Sequence, residues 1–303
     1  MANGLTKCGW VKHPQNPVLG GELGTCFDVS VLQDAGKYKM YFSWRPKKTI
    51  AYTESLDGIH WSDPETCIEP IVTNQGRQDD LNRPGVIKHN GKYHMWYTGQ
   101  FKPGQADGSS HIFYAVSDDG KKFTRVSQTP VLAPQEKWEK SAVMNPHVMR
   151  NEEQNLFKMW YSAGEQYEPN AIGYASSPDG INWIKAGKEP VFYAAAENDW
   201  ENHKVAGCHV VYHEGFYIMF YIGYRNEHYA QIGIARSKDG ITCWERHPQN
   251  PIIAPDEGSW DQDACYKPFA IKEKTGWKLW YNGRAGFSEQ IGLAVHDGHD
   301  LGF

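Results

Sequence analysis

The sequence predicts an all-β, five-bladed β-propeller, and three observations carry that expectation. A Ser-x-Asp-Gly phrase returns along the whole chain at nearly constant spacing, worn to Asp297-Gly298 in its last copy. A Met-aromatic run precedes each copy, and the chain start nearly duplicates a segment close to its end.

The Asp-Gly steps come first. Asp57, Asp119, Asp179, Asp239 and Asp297 are spaced 62, 60, 60 and 58 residues apart. Asp-Gly between apolar runs signals a tight hairpin turn, because glycine supplies positive φ, so these residues are assigned to turns. Upstream stand Lys39-Met40-Tyr41-Phe42, His94-Met95-Trp96-Tyr97, Lys158-Met159-Trp160-Tyr161, Ile218-Met219-Phe220-Tyr221 and Lys278-Leu279-Trp280-Tyr281. They are rich in aromatic residues and read as buried strands. Short apolar strands precede them at 29–32, 84–87, 146–149, 208–211 and 268–271. Others follow at 50–53, 112–116, 172–176, 232–236 and 291–295.

With an outer strand after each Asp-Gly turn, every unit holds four antiparallel strands, and sustained helical periodicity is absent. Radial repetition of such units is a propeller. Trp10-Val-Lys-His13-Pro14-Gln15-Asn16-Pro17 mirrors Trp244-Glu-Arg-His247-Pro248-Gln249-Asn250-Pro251, which is an outer strand. The last unit lacks one, so the N-terminal segment is expected to supply it and close the ring. Residues 1–303 then form a single propeller domain.

Composition narrows the function. The 303 residues carry 31 Lys+Arg against 36 Asp+Glu, a formal charge of −5, which argues against a general nucleic-acid or membrane-surface binder. No apolar run approaches the roughly 20 residues of a membrane helix. Six scattered cysteines without a C-x-x-C pair, and a start without a signal pattern, point to reduced thiols in a cytoplasmic protein.

Five copies in one chain allow the blades to be compared with each other. The start of each innermost strand faces the central funnel, and there the equivalent residues are Asp28, Arg83, Asn145, Gly207 and Lys267. Two residues on come Ser30, Gly85, His147, His209 and Phe269. The second strands return to the same face at Trp44-Arg45, Gln100, Glu165, Tyr224-Arg225 and Arg284. Such variation in charge has no structural purpose in a repeat. Trp138-Glu139, Trp200-Glu201 and Trp260-Asp261, by contrast, repeat and read as scaffold.

A polar, aromatic funnel with carboxylates suits glycoside cleavage, in which one carboxyl group donates a proton to the leaving oxygen and another activates water or attacks carbon. Asp28 is the expected base or nucleophile and Glu165 the expected acid. Asp79, Asp80 and Asp263 lie in the loops leading to Arg83 and Lys267. Trp44 and Tyr224 offer flat faces to a sugar ring. Arg45, Arg83, Arg225, Arg284 and Lys267 would clamp an anionic group, or else pair with the acids as a solvated network. Gln100, Asn145, His147, His209 and Asp263 complete the expected substrate contacts. His147 and His209 lack a local metal motif, so neither a metal nor a cofactor is expected.

The blade phrases, the Met-Trp-Tyr strands and the axial Asp28 in Phe27-Asp28-Val29 together resemble one family group. It is the five-bladed β-propeller glycosidase superfamily: arabinanases and β-xylosidases, invertases and levansucrases, and mannoside phosphorylases. The resemblance implies a propeller and places Asp28 where arabinanases and invertases carry their base or nucleophile. Other positions depart. Arg83 stands where invertase-like members have Asp before the Pro of blade two, and Met144 where they have the acid Glu. The Asp-Pro-Arg phrase of the phosphorylases is absent. The reading is a glycoside hydrolase for small oligosaccharides; the alternatives are a glycoside phosphorylase using inorganic phosphate and a non-catalytic sugar-binding propeller.

Overall fold

The computed structural model describes residues 6–71, 78–167 and 169–303. β1 (Trp10–Lys12) comes first in the chain and last in the fold. Blade one is β2 (Cys26–Asp34), β3 (Lys37–Trp44), β4 (Thr49–Ser55) and β5 (Glu65–Ile68), hydrogen-bonded in that order. Blade two is β6 (Asp80–His89), β7 (Lys92–Phe101), β8 (Ser109–Ser117) and β9 (Thr124–Arg125). Blade three is β10 (Ala142–Asn151), β11 (Leu156–Gly164) and β12 (Pro169–Ser177), edged by β13 (Ile184–Lys185) and β14 (Phe192–Tyr193). Blade four is β15 (Lys204–His213), β16 (Phe216–Tyr224), β17 (Ala230–Ser237) and β18 (Glu245–Arg246). Blade five is β19 (Ala264–Lys272), β20 (Gly276–Ala285) and β21 (Ser288–Asp297), with β1 as its outer strand. The pairing runs from Trp10 opposite His296 to Lys12 opposite Ala294, so the chain start does complete the last blade. Among the described residues no α-helix forms, and none is long and apolar enough to cross a membrane.

The two repeated phrases hold each other. The turn glycines Gly58, Gly120, Gly180, Gly240 and Gly298 have φ between 76° and 80°, which a side chain would strain. Four of these turns are gripped from the neighbouring blade. Trp96 Nε1 donates to the Gly180 carbonyl and Trp160 Nε1 to that of Gly240, each at 2.8 Å. Tyr41 Oη reaches Gly120 at 2.7 Å, and Trp280 Nε1 carries blade five onto blade one at Gly58, 2.9 Å away.

The three Trp-acid pairs supply the other glue. Glu139, Glu201 and Asp261 are completely buried. Glu139 accepts from Tyr161 Oη at 2.8 Å and Lys185 Nζ at 2.6 Å; Asp261 accepts from Tyr281 Oη at 3.0 Å and Lys12 Nζ at 2.7 Å. Arg246 Nε meets Glu201 at 2.8 Å, with Tyr221 beside it. Blade two makes the neutral version, Gln78 taking Tyr97 Oη and Arg125 Nε at 3.0 and 2.8 Å. In each case the cation comes from the outer strand and the tyrosine from the second. A buried carboxylate is tolerable only when paired and hydrogen-bonded in this way.

Candidate active site

The innermost strands are longer than their apolar stretches suggest. Expected at 84–87, β6 begins at Asp80, so Asp80 lies on a strand rather than in a loop. The polar front half of each strand was hidden because a bulge interrupts its alternation. In all five blades the register with the second strand slips at the axial residue. Asp28, Arg83, Asn145 and Lys267 take φ of 58°, 55°, 54° and 49°, left-handed values that are uncommon for non-glycine residues.

Three of the five bulges are held by a side chain of the preceding blade. The Asp28 amide donates to Asn282 Oδ1 at 3.0 Å, Arg83 N to Ser43 Oγ at 2.8 Å, and Asn145 N to Thr98 Oγ1 at 3.2 Å. Asn282, Ser43 and Thr98 occupy one equivalent place on the second strands. The bulge is thus architecture, and what varies is the side chain it presents.

Asp28 is 4 % exposed. Its Oδ2 lies 3.4 Å from Ser43 Oγ, which donates, and 3.7 Å from Arg83 Nε. Arg83 is in turn positioned: its Nη1 donates to Asn82 Oδ1 at 2.7 Å, and Asn82 Nδ2 donates to Gln100 Oε1 at 2.7 Å. Buried Gln100 therefore acts two bonds away from Arg83 rather than at the funnel surface. Asn145 Nδ2 donates to Ser162 Oγ at 3.2 Å. At Gly207 a Cβ would come within 3.2 Å of Asn145 Cγ and 3.3 Å of Lys267 Cδ, so the missing side chain makes room for both neighbours. Lys267 is buried, and that burial pushes its ammonium below its ordinary pKa against the opposing pull of Asp28.

His147 and His209 lie a layer deeper. Their rings are 4.5 Å apart, His209 packs 3.9 Å from the Phe269 ring, and His147 Nε2 donates to the Val210 carbonyl at 2.8 Å. Burial pushes the His147 imidazole down to about 3 and His209 well down too, so both are neutral near pH 7. Among the described residues no group of three or more His, Cys, Asp or Glu side chains is arranged to hold a metal ion.

Above the floor, a depression of 1360 Å³ spans blades four, five and one. It gathers Arg45, Arg225, Asp263 and Arg284 from among the expected residues. Trp44 stays in the wall, donating from Nε1 to the Leu23 carbonyl at 2.8 Å, with the Lys47 ammonium 3.9 Å over its ring. Asp263 accepts from the Gly286 amide in the β20–β21 turn at 2.6 Å. Glu165 is not part of this depression; it is exposed and ion-paired with Lys140 at 2.9 Å.

Two carboxyl groups gain weight from the geometry. Glu289, at the start of β21, accepts from Tyr266 Oη at 2.5 Å and lies 3.6 Å from Arg45 Nη2. The sequence signal for it is an acid at the start of a third strand, where the other blades carry Thr49, Ser109, Pro169 and Ala230. Asp80 sits near Arg45, Arg83 and Lys48, and burial raises its carboxyl pKa despite those cations.

A propeller of this strand order, with an acid presented at its axis, has the architecture of carbohydrate-cleaving enzymes. The profile of the family "Glycosyl hydrolases family 43" matches residues 14–297, almost the full length, and the chain belongs to that family. The crystal structure of a thermostable family-43 glycoside hydrolase superposes with a TM-score of 0.72 at 18% identity, covering 92% of this chain and 91% of that one. The uncharacterized protein Rv1502 of Mycobacterium tuberculosis is 28% identical over 75% of this chain and 76% of its own. A 1,2-beta-oligomannan phosphorylase of Thermoanaerobacter sp. (strain X514) is 34% identical over 41% of this chain and 44% of that protein.

Proposed function

We propose that this protein hydrolyses the O-glycosidic bond of small glycosides or oligosaccharides in the central funnel, with Asp28 as general base or nucleophile. The observation that carries the reading is the Asp28 carboxylate itself, buried at the funnel floor on a bulge and steadied by Ser43 and Arg83. Asp80 is assigned as the general acid in preference to Glu165. A proton donor needs a pKa near the working pH, and burial moves Asp80 in that direction, whereas Glu165 stands in solvent beside Lys140. The six free cysteines support a cytoplasmic setting, where imported oligosaccharides rather than polymers would be the substrates.

A second reading is a glycoside phosphorylase, supported by the cations Arg83 and Lys267 at the floor and by the phosphorylase among the relatives. One experiment separates the two. A panel of aryl glycosides and short oligosaccharides is incubated with and without inorganic phosphate, using wild type and Asp28→Asn. Hydrolysis without phosphate that disappears in the variant supports the first reading. Strict phosphate dependence with release of a sugar phosphate replaces it with the second.

A further inference from the structure

We infer that the funnel floor is built to hold a carboxylate on the sugar, so that the substrate is a glycoside of an acidic sugar. The identity of the ligand as a sugar rests on the hydrolase reading; its charge rests on the floor itself. The five axial positions carry two cations, Arg83 and Lys267, one acid, Asp28, one amide and one glycine.

These charges are poorly matched among themselves. Asp28 meets Arg83 only at 3.7 Å, and the Lys267 ammonium makes no hydrogen bond or ion pair with any described residue. Elsewhere in the same molecule Lys185, Arg246 and Lys12 meet their buried acids at 2.6, 2.8 and 2.7 Å. The Lys267 stem is buried while its Nζ is not sealed from solvent, so the ammonium is open to the funnel and an anion bound there would supply the partner it lacks.

The arrangement suits one negative charge. Arg83 gives one N–H to Asn82 and makes no hydrogen bond through Nη2 with any described residue, which leaves that edge for a planar oxyanion. Lys267 supplies a point charge that feels both Asp28 and Arg83, and its stem passes over Gly207, where a larger residue would collide with it. The floor sums to a single surplus positive charge. A uronate carries one negative charge and leaves the floor neutral, whereas inorganic phosphate brings nearly two and leaves a negative surplus.

The test uses matched aryl glycosides, glucuronide against glucoside and galacturonide against galactoside, with inorganic phosphate as a separate arm. Binding is read by calorimetry and turnover by release of the aryl group. The acidic member of at least one pair is expected to bind about tenfold more tightly than its neutral partner, and Lys267→Met to erase most of that preference. The wild-type comparison stands even if the variant fails to fold. Equal binding of acidic and neutral members, or binding of phosphate with phosphate-dependent sugar phosphate release, overturns the assignment. A uronate that binds without being cleaved contradicts the hydrolase reading alone; a neutral glycoside preferred and hydrolysed through Asp28 contradicts the charge assignment alone.

Discussion

Two sets of buried charges occupy fivefold-related places in this molecule, and they are built differently. The outer set, Glu139, Glu201 and Asp261, is chemically uniform, and each carboxylate meets a cation at 2.6 to 2.8 Å. The axial set, Asp28, Arg83, Asn145 and Lys267, changes chemistry from blade to blade, and its one ion pair is loose at 3.7 Å. Repetition with tight pairing marks charges that hold the blades. Variation with incomplete pairing marks charges that await a ligand.

Replacing the proposed acid bears most strongly on the contrast. Asp80→Asn is expected to lower kcat/KM about 100-fold. It should also remove the alkaline limb of the pH–rate profile, since the acid form is lost as pH rises through the raised pKa of Asp80. An unchanged profile would move the acid elsewhere, Glu289 being next in line.

The outer set responds in stability. Lys185→Met strands the buried Glu139 carboxylate and should cost about 3 kcal/mol in denaturant unfolding, with turnover per folded molecule preserved. A loss below about 1 kcal/mol would show that the outer pairs are not the glue described here.

The deeper histidines give a smaller effect with a definite sign. His147 is held down to about 3 from an ordinary 6.5, so below that ordinary value the unfolded chain takes a proton the folded one refuses. Its contribution is full above about pH 6.5 and drains away as pH falls toward 3. His147→Asn should therefore lose less stability between neutral and acid pH than wild type, measured by urea unfolding at each pH. Equal slopes would contradict the buried, neutral imidazole.

Glu165→Gln is expected to do least, changing kcat/KM by less than about threefold, because an exposed pair contributes little. A loss as large as that of Asp80→Asn would return the acid's role to Glu165.

Much of the fold was legible because repeats expose their own logic. The Asp-Gly turns, the Met-aromatic strands and the outer strand lent by Trp10–Lys12 all lie where the phrases put them. The axial ring was legible as a set of unlike residues in like places. Its support was not. The bulges break the period-two alternation that announces a strand, which concealed the front of β6 and with it Asp80. Gln100 stands at a funnel-facing strand exit, yet it turns inward to Asn82, a choice made by burial and hydrogen bonding rather than by position. Glu289 lies at the start of a third strand, outside the axial and second-strand positions that the repeat brings into register.

The most direct measurement takes turnover and thermal unfolding on the same samples of Asp28→Asn and Glu139→Gln. The account predicts a double dissociation. Asp28→Asn should lose on the order of 1000-fold in kcat/KM while its midpoint moves little, and Glu139→Gln should lose several degrees while each folded molecule keeps its activity. Activity retained by Asp28→Asn, or abolished at unchanged stability by Glu139→Gln, would contradict the claim that charges breaking the blade repeat are the ones that act.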